Sequence, residues 1–367
     1  MVRSDLFAAI DTRLRYLGNH NRIFGGKQII ATGDFFQLPP FAVTEAENIY
    51  LETVFGGLYA FQTGIWKNSD FKTLFLKTLH RQSSDPLYAR ILARIRQNDG
   101  TVDINLPDCD EAMSALEALN TASVRPRQDR ALALCTTKND AYAINIRRAA
   151  AIAAPVRRFS AKISGEFAPA LYPTAECLEL KVGERVMTLA NKYEGDLVYC
   201  NGDMGTITDI GDETVTVAFD KGVTTEIKPF VWSHFEYELV ERDGKTKILQ
   251  REVGRFTQIP LRLAYATTIH KSQGLSLDSA HIVLGNGCFA PGQLYTALSR
   301  VRTLSGLSLD REIKAEDLFF APEVVAFYNE ICPENAGKTV AVDVPAAYVE
   351  QVRAFLAELT ARDKIPA

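Results

Sequence analysis

The chain has 367 residues, of which 47% are hydrophobic and 23% are charged. This length predicts two or three domains with ample apolar material for a buried core, and the composition excludes a disordered chain. The formal net charge of −4 excludes a global basic field, so any contact with nucleic acid must come from local basic patches.

The cysteines and the hydropathy pattern indicate the cellular environment. The six cysteines are scattered without a Cys-x-x-Cys pair, which argues against a zinc site or a disulfide framework and favours a reducing compartment. No run of about 18 apolar residues and no charged-then-apolar leader is found, so neither a membrane span nor a signal peptide is predicted. We expect a cytoplasmic protein in a bacterium or a nuclear protein in a eukaryote.

Helices and one strand are predicted in the first hundred residues. A helix begins at Ser4, with an apolar face formed by Leu6, Ile10, Leu14 and Leu17. A strand follows at residues 28–32, and an apolar run at 74–76 precedes a helix at 86–97.

The middle of the chain changes from an α/β pattern to an all-β pattern. A buried strand at 131–135 turns into a helix, which is the strand-loop-helix order of a parallel sheet. From residue 183, short runs of β-forming residues alternate with turn dipeptides, which predicts a small inserted antiparallel barrel. Its predicted strands are 186–189, 206–210, 214–219, 231–239 and 248–256.

The α/β pattern returns after Pro260. Strands are predicted at 281–284 and 307–309, with a helix at 292–301 between them, and a last amphipathic helix begins at Pro345. The predicted fold class is therefore α/β, with a small β domain inserted.

Residues 33–40 read Gly-Asp-Phe-Phe-Gln-Leu-Pro-Pro and follow the predicted strand at 28–32. A strand that ends in Gly33-Asp34 places a polar segment at the carboxyl edge of a sheet, where α/β proteins bind ligands. Gln37 offers an uncharged amide that can orient a water molecule or contact a phosphate. For the Gly-Asp pair alone, an ordinary exit from strand to loop is the alternative.

Two arginines are candidates for the positive charge that phosphoryl transfer requires at the γ-phosphate. Arg81 follows the apolar run at 74–76, and Arg300 ends the predicted helix at 292–301. A surface ion pair is the alternative for Arg81, and complementation of the helix dipole is the alternative for Arg300.

Two further stretches carry groups that suit nucleic acid. Residues 266–274 place hydroxyls, an imidazole and an ammonium close together, and such groups contact phosphate oxygens. The arginines and lysine at 147–162 form either a second basic patch or a solvated surface.

The order of these segments resembles the Pif-one-type (Pif-one/RecD-like, superfamily 1B) ATP-dependent DNA helicases over residues 1–330. Along the chain come Gly-Asp-Phe-Phe-Gln-Leu-Pro-Pro, His-Arg-Gln, Thr-Thr-Lys-Asn, Asn-Gly within the β-rich insert, Thr-Ile-His-Lys-Ser-Gln-Gly and Thr-Ala-Leu-Ser-Arg. The resemblance implies that Gln37 is the motif III sensor and that Arg81 and Arg300 are arginine fingers.

The resemblance also implies binding residues and domains. Nucleotide-binding positions are Gly33, Asp34 and Gly274. The single-strand DNA track consists of Thr136, Thr137, Asn139, Thr268, His270, Lys271 and Ser272. The implied domains are an incomplete first RecA-like domain (1–65), a complete second one (66–182 and 259–330), an SH3-like insert (183–258) and a C-terminal helical tail (331–367).

Two motifs of this family have no counterpart in the 367 residues. The P-loop reads Gly-x4-Gly-Lys-Ser/Thr, whereas the Gly-Lys-Thr tripeptides at 244–246 and 337–339 have Leu239 and Cys332 in place of the first glycine. The Asp-Glu pair of motif II is also missing from any suitable context. The family implies ATP with Mg²⁺, but their main ligands are absent here, and no metal-binding residue is predicted.

The leading hypothesis is that the chain is the C-terminal portion of an ATP-dependent 5′-to-3′ DNA helicase. This portion is expected to be inactive alone and to have the missing N-terminal half as a partner. Its expected partners are single-stranded and forked duplex DNA, without a membrane, and the family implies DNA repair, recombination or telomere maintenance. One alternative is a non-catalytic DNA-binding or regulatory module derived from a helicase. Another is the helicase part of a RecD-type or relaxase-type protein.

Overall fold

The structure is a computed structural model that describes residues 1–41, 44–76, 80–97, 115–122, 125–127, 130–194, 196–242 and 245–331. The predicted helix from Pro345, the tail at 331–367 beyond its first residue, and the Gly-Lys-Thr tripeptide at 337–339 lie outside the described residues. Within the described part of the chain, no helix combines the length and apolar character needed to cross a membrane.

The described residues form α-helices before residue 151 and after residue 268. They are α1 (Ser4–Leu17), α2 (Glu45–Phe55), α3 (Gly64–Lys67), α4 (Pro86–Gln97), α5 (Ala115–Asn120), α6 (Lys138–Ala150), α7 (Ile269–Ser272), α8 (Gln293–Leu298) and α9 (Pro322–Ile331). The predicted helices at 86–97 and 292–301 are thus confirmed as α4 and α8.

The strands begin after residue 130. They are β1 (Leu132–Cys135), β2 (Arg157–Ser160), β3 (Lys162–Gly165), β4 (Cys177–Leu180), β5 (Arg185–Thr188), β6 (Lys192–Glu194), β7 (Asp196–Tyr199), β8 (Met204–Ile210), β9 (Val215–Phe219), β10 (Thr224–Ile227), β11 (Phe230–Arg242), β12 (Lys245–Gln258), β13 (Leu261–Leu263), β14 (Ala266–Thr268), β15 (Ala280–Val283) and β16 (Leu307–Leu309).

The chain packs as two compact units. Unit 1 comprises Met1–Ala122, Gly287–Leu304 and Glu312–Ala367, and unit 2 comprises Ser123–Asn286 and Ser305–Arg311. These units follow spatial packing, whereas the predicted domain boundaries follow a family resemblance, so the boundaries stay a prediction.

Unit 2 contains a parallel sheet in the order β14-β1-β15-β16. All four residues of β1 are buried, as expected for a central parallel strand covered on both faces. Helix α6 follows β1 and packs Ala141 and Ile144 against Ala133 and Ala266. The predicted α/β pattern is confirmed in this sheet.

Unit 2 also contains a five-stranded antiparallel sheet in the order β10-β9-β8-β5-β13. Strand β9 alternates buried and half-buried residues, because only one face of the sheet packs on the core. That core includes Leu180, Val186, Ile207 and Val217. An antiparallel sheet in this part of the chain is confirmed, while the inserted barrel, its bounds and its SH3-like character stay a prediction.

Two of the predicted barrel strands belong to a different sheet. Strands β11 and β12 form a long hairpin, and β12 pairs on its other edge with β3. The close approach of β12 to β3 depends on Gly254, because a Cβ there would lie 2.2 Å from the carbonyl oxygen of Glu166. The five-stranded sheet is completed instead by β13, which pairs with β5.

Helix α1 begins where predicted but buries another face. Its N-cap is Arg3, and Ser4 is fully buried. The predicted apolar face is largely in solvent, with Leu6 54% and Leu17 65% exposed. The buried face includes Asp11, because its carboxylate accepts the backbone N–H of Phe24 at 2.5 Å.

The predicted strand at 28–32 is wrong, since these residues carry no strand and pair with none of the described strands. A β-strand requires a hydrogen-bonded neighbour, and Ile30 is 47% exposed. Arg81 is also expected to follow a strand formed by the apolar run at 74–76. These residues carry no strand, and Leu76 is 89% exposed, so that expectation lacks support.

Candidate functional site

Asp34 shapes the backbone at the start of the segment 33–40. Its carbonyl oxygen accepts the N–H of Gln37 at 3.2 Å, and its Oδ1 accepts the N–H of Phe36 at 3.1 Å. A carboxylate that binds the N–H two residues further on stabilises a turn. This turn directs the residues after Asp34 onto α8.

Arg96 of α4 holds Asp34 in place. Its Nε donates to Asp34 Oδ1 at 3.3 Å, and its Nη2 donates to the hydroxyl of Tyr328 at 3.2 Å. The guanidinium also lies 5.0 Å from the ring centre of Phe36 and 5.1 Å from that of Tyr328, within cation–π range. Burial alone would lower the pKa of Arg96, but the Asp34 carboxylate raises it overall.

Asp34 is also linked to α8. Its Oδ2 accepts the hydroxyl hydrogen of Tyr295 at 3.1 Å. Burial, and then the charge of Asp34, raise the pKa of Tyr295, so this hydroxyl stays protonated and remains a donor at neutral pH. Asp34 therefore joins the segment 33–40 to α4 and α8 simultaneously.

The backbone of the segment lies directly against α8. The hydroxyl of Thr296 accepts the N–H of Leu38 at 2.9 Å. At Gly292, which precedes α8, φ is +67°, and a Cβ would lie 2.1 Å from the carbonyl oxygen of Phe36. Only glycine fits this close approach without displacing the neighbouring backbone.

Arg81 and Arg300 meet at the end of α8. Arg81 Nη1 donates to the carbonyl oxygen of Ser299 at 2.9 Å. Arg300 donates from Nη2 to the hydroxyl of Ser299 at 2.8 Å and from Nε to the carbonyl oxygen of Thr296 at 3.1 Å. The two acceptors of Arg300 are neutral oxygens, so they satisfy hydrogen bonds without neutralising its charge.

The two arginines raise the local positive potential. Burial, followed by repulsion from Arg81, lowers the pKa of Arg300 to about 10. Burial likewise lowers the pKa of Arg81, with a further contribution from the charge of Arg302. Cations whose charged forms are disfavoured by burial and by a neighbouring cation form a favourable environment for an anion.

Gln37 and Gly33 complete the predicted residues of unit 1. Gln37 is half-buried, and its side-chain amide forms no hydrogen bond with any residue in the described part of the chain. Gly33 is exposed, and a Cβ there would meet nothing within 4 Å. In unit 1, Asp34 thus contacts α8 through Tyr295, Gln37 precedes the residue that binds Thr296, and Arg300 and Arg81 lie at the end of the same helix.

In unit 2, the predicted DNA-contacting segments follow two neighbouring parallel strands. Strand β1 pairs with β14, and Cys135 lies opposite Thr268. The segments that begin at Thr136 and Thr268 therefore leave the same edge of the sheet. Thr137 caps α6 by accepting the N–H of Asp140 at 3.1 Å, and Thr268 caps α7 by accepting the N–H of Lys271.

The predicted residues of this edge divide by exposure. The exposed ones are Thr137, Asn139, His270, Lys271 and, further on, Gly274. Thr136 and Ser272 are buried, and their hydroxyls donate to the carbonyl oxygens of Leu284 and Ile269. Thr268 is 7% exposed. The buried hydroxyls stabilise the loops, which leaves phosphate contacts to the exposed groups.

The exposed edge is cationic. Burial, followed by the charges of Arg262 and Lys138, lowers the pKa of Lys271. Burial and then the charge of Lys138 lower the pKa of His270, so its imidazole is mostly neutral at pH 7. Cationic and hydrogen-bonding groups at two adjacent strand ends suit a phosphate backbone.

Asn145 fixes β14 to α6. Its side chain donates to the carbonyl oxygen of Ala266 at 2.8 Å, and its Oδ1 accepts the N–H groups of Tyr265 at 3.1 Å and Ala266 at 3.0 Å. These bonds occupy the outer edge of β14. They hold the segment that leads to Lys271 against the helix that carries Asn139.

The second predicted basic patch is largely neutralised. Arg157 pairs with Asp212 at 2.8 Å, Arg158 with Glu179 at 2.8 Å, and Lys162 with Glu213 at 3.6 Å. These exposed ion pairs support the solvated-surface alternative for this part of the chain.

Sequence reasoning missed the residues that position the site. Arg96 and Tyr328 are separated from Asp34 and from each other by long stretches of chain. Asn145 lies in a helix that was predicted from its apolar residues alone. A polar residue on the buried side of a helix was the available signal for Asn145. No local signal indicated Arg96.

Comparison with known proteins gives the family. The model of the PIF1-like helicases matches residues 1–97. The human ATP-dependent DNA helicase PIF1 is 34% identical over 357 residues, which cover 94% of this chain and 49% of the human protein. The ATP-dependent DNA helicase Pif1 of Bdellovibrio bacteriovorus is 32% identical over 314 residues, covering 84% of this chain and 63% of that protein.

A solved structure agrees with these relatives. The crystal structure of Pif1 helicase from Bacteroides in complex with ADP-AlF3 and ssDNA has a TM-score of 0.69 and 33% identity, covering 92% of this chain and 74% of that one. The chain belongs to the PIF1-like helicase family, and the predicted RecA-like α/β fold is confirmed. It spans about half the length of the human relative.

Proposed function

We propose that the chain is the C-terminal portion of an ATP-dependent 5′-to-3′ DNA helicase, in which unit 2 binds single-stranded DNA and unit 1 contributes to the ATP site. The observation that carries the proposal is the common edge of β1 and β14, where exposed Lys271, His270 and Asn139 follow adjacent strands. The relatives of the same family are ATP-dependent DNA helicases.

The residues of unit 1 suit the γ-phosphate side of an ATP site. Negative charge accumulates on the transferred phosphoryl group, and positioned cations stabilise it. Arg81 and Arg300 supply two such cations at one helix end, and the amide of Gln37 is available to orient the attacking water. Gly33 and Asp34 of unit 1 are proposed as nucleotide-binding positions, and Gly274 of unit 2 is proposed, by itself, as a further one.

Arg300 favours a helicase over a non-catalytic DNA-binding module. Its guanidinium is 2% exposed and donates only to neutral oxygens among the described residues. Burying a charge without an anionic partner lowers stability. A module that only binds DNA would gain nothing from the loss of stability that a buried, unpaired guanidinium causes.

The residues present do not fit Mg²⁺. Across the described residues, no three His, Cys, Asp or Glu side chains form a group that could hold a metal ion. Asp34 is already bonded to Arg96 and Tyr295. With no P-loop in the sequence, we further propose that these 367 residues do not turn over ATP alone.

A two-part measurement on the purified chain tests this function. Fluorescence anisotropy of a labelled oligo(dT) should show binding whose affinity falls between about 50 and 200 mM salt, with a log–log slope of about −0.7 for each phosphate contacted. Hydrolysis of ATP with saturating oligo(dT) should stay at background. Absence of salt-dependent binding would contradict the DNA-binding role, and sustained turnover would contradict the proposed dependence on a P-loop.

A further inference from the structure

Arg262 lies in β13 between Leu261, which packs in the core of the five-stranded sheet, and Leu263, which packs against the core of the parallel sheet. Across the antiparallel pair it stands opposite Met187 of β5. Its Nη2 lies 3.3 Å from the sulfur of Met187, which is 2% exposed. The guanidinium is therefore held against an apolar, polarizable surface.

Arg262 has no anionic partner in the described part of the chain. Its recorded polar contact is the Met187 sulfur, a weak acceptor without charge. Burial lowers the pKa of Arg262, and no carboxylate opposes that shift. A guanidinium partly removed from water without a carboxylate is stabilised by any anion that reaches it.

The position of Arg262 along the chain connects it to the DNA-contacting edge. Strand β13 continues through Ala264 and Tyr265 into β14, which ends at Thr268 before Lys271. After burial, the charges of Arg262 and Lys138 lower the pKa of Lys271 further. Arg262 and Lys138 therefore both lie within electrostatic range of Lys271 in unit 2.

We propose that Arg262 is a further DNA-binding residue, which contacts a backbone phosphate next to the one bound at Lys271 and extends the track from the parallel sheet onto the five-stranded sheet. This inference rests on the proposed function, because it assumes that the edge at Lys271 binds single-stranded DNA. Guanidinium groups bind phosphate oxygens in a bidentate manner. The contact involves no base, so it adds affinity without sequence preference.

Packing of the aliphatic stem is the competing role for Arg262, since long cationic side chains cover apolar surface. Arg262→Met retains an unbranched apolar stem beside Met187 and removes the charge together with the N–H donors. Arg262→Lys restores the charge without the bidentate geometry. If only the stem matters, the unaltered chain, R262M and R262K should bind DNA equally. If Arg262 contacts a phosphate, R262M should bind more weakly than the other two.

The test measures oligo(dT) affinity of the whole chain against salt for four proteins. These are the unaltered chain, R262M, R262K and the control R157M, which removes an arginine already paired with Asp212. For R262M we expect about tenfold weaker binding at low salt and a salt slope smaller by about 0.7. R262K should recover part of the affinity, and R157M should behave as the unaltered chain.

The outcomes separate this inference from the function on which it rests. If the unaltered chain does not bind oligo(dT), both are overturned. If it binds but R262M retains its affinity and slope, or if R157M shows the same loss as R262M, only the role of Arg262 is overturned. Thermal unfolding of each variant checks that a loss of binding is not a loss of fold.

Discussion

At the scale of single residues, the buried Arg300 lowers the stability of the fold. Its folded-state pKa of about 10 lies below the ordinary value of 12.5, which corresponds to a destabilisation on the order of 3 kcal/mol at neutral pH. Hydrogen bonds to Thr296 and Ser299 offset part of that cost. Such destabilised groups concentrate where a ligand will interact with them.

The pH dependence of stability tests this reading of Arg300. A cation whose pKa is lowered by folding binds fewer protons in the folded state, so stability rises as pH increases through about 10. The difference in unfolding free energy between the unaltered chain and R300M should therefore shift by about 1 kcal/mol in favour of the unaltered chain from about pH 8 to pH 11. Urea denaturation at each pH measures it.

Arg96→Met is the matched control for that experiment. The pKa of Arg96 is raised by Asp34, so its stabilising contribution is fully present below the unfolded pKa and stays constant over the same pH interval. R96M should lose about 2 kcal/mol, because Asp34 is left without its cation. A pH-independent difference for R300M would contradict the account of Arg300.

Residue roles could be predicted only where the sequence places them in a recognisable segment. The roles of Gln37, Arg81 and Arg300 were proposed in this way, and the structure places Arg81 and Arg300 together at the end of α8. Arg96 could not be found, because Asp34 lies 62 positions away from it and Tyr328 lies 232 positions away. Such long-range contacts leave no local pattern.

At the scale of elements, the segment 33–40 and α8 form one packed pair. The N–H of Leu38 binds the hydroxyl of Thr296, and Phe36 approaches Gly292 closely. The segment is therefore packed directly against the helix that Arg300 follows.

Gly292→Ala tests the close packing of this pair. The added Cβ would meet the Phe36 carbonyl oxygen at 2.1 Å, and the residue has φ +67°, so we expect a loss of about 2–4 kcal/mol. Gly33→Ala is the control, because nothing lies within 4 Å of its Cβ. Urea denaturation of both variants provides the comparison, and equal stability of the two would show that the approach at Gly292 is not tight.

Elements with their own strong pattern were predicted correctly, and elements that need a partner were not. The buried run of β1 and the helical spacing of α4 sufficed for their assignment. The strand at 28–32 failed, because an apolar run indicates burial but does not supply a neighbouring strand. Helix α1 was recognised, but Asp11 decides its buried face through a hydrogen bond to Phe24 that periodicity does not reveal.

At the scale of the whole molecule, the two units divide the proposed chemistry. Unit 1 carries Asp34, Gln37, Arg81 and Arg300, and unit 2 carries the DNA-contacting edge of β1 and β14. The net charge of −4 gave no sign of DNA binding. The cationic edge became visible only when the fold placed Lys138, Lys271 and Arg262 together, while the arginines of β2 were paired with acids.

The most direct test of the central claim is the location of bound DNA. Photo-cross-linking of the whole chain to oligo(dT) that contains 4-thiothymidine, followed by peptide mass spectrometry, identifies the contacting residues. We predict cross-links within residues 136–139 and 262–274, and these cross-links should disappear at high salt. Cross-links confined to β2 and β3, or none at saturating DNA, would contradict the central claim.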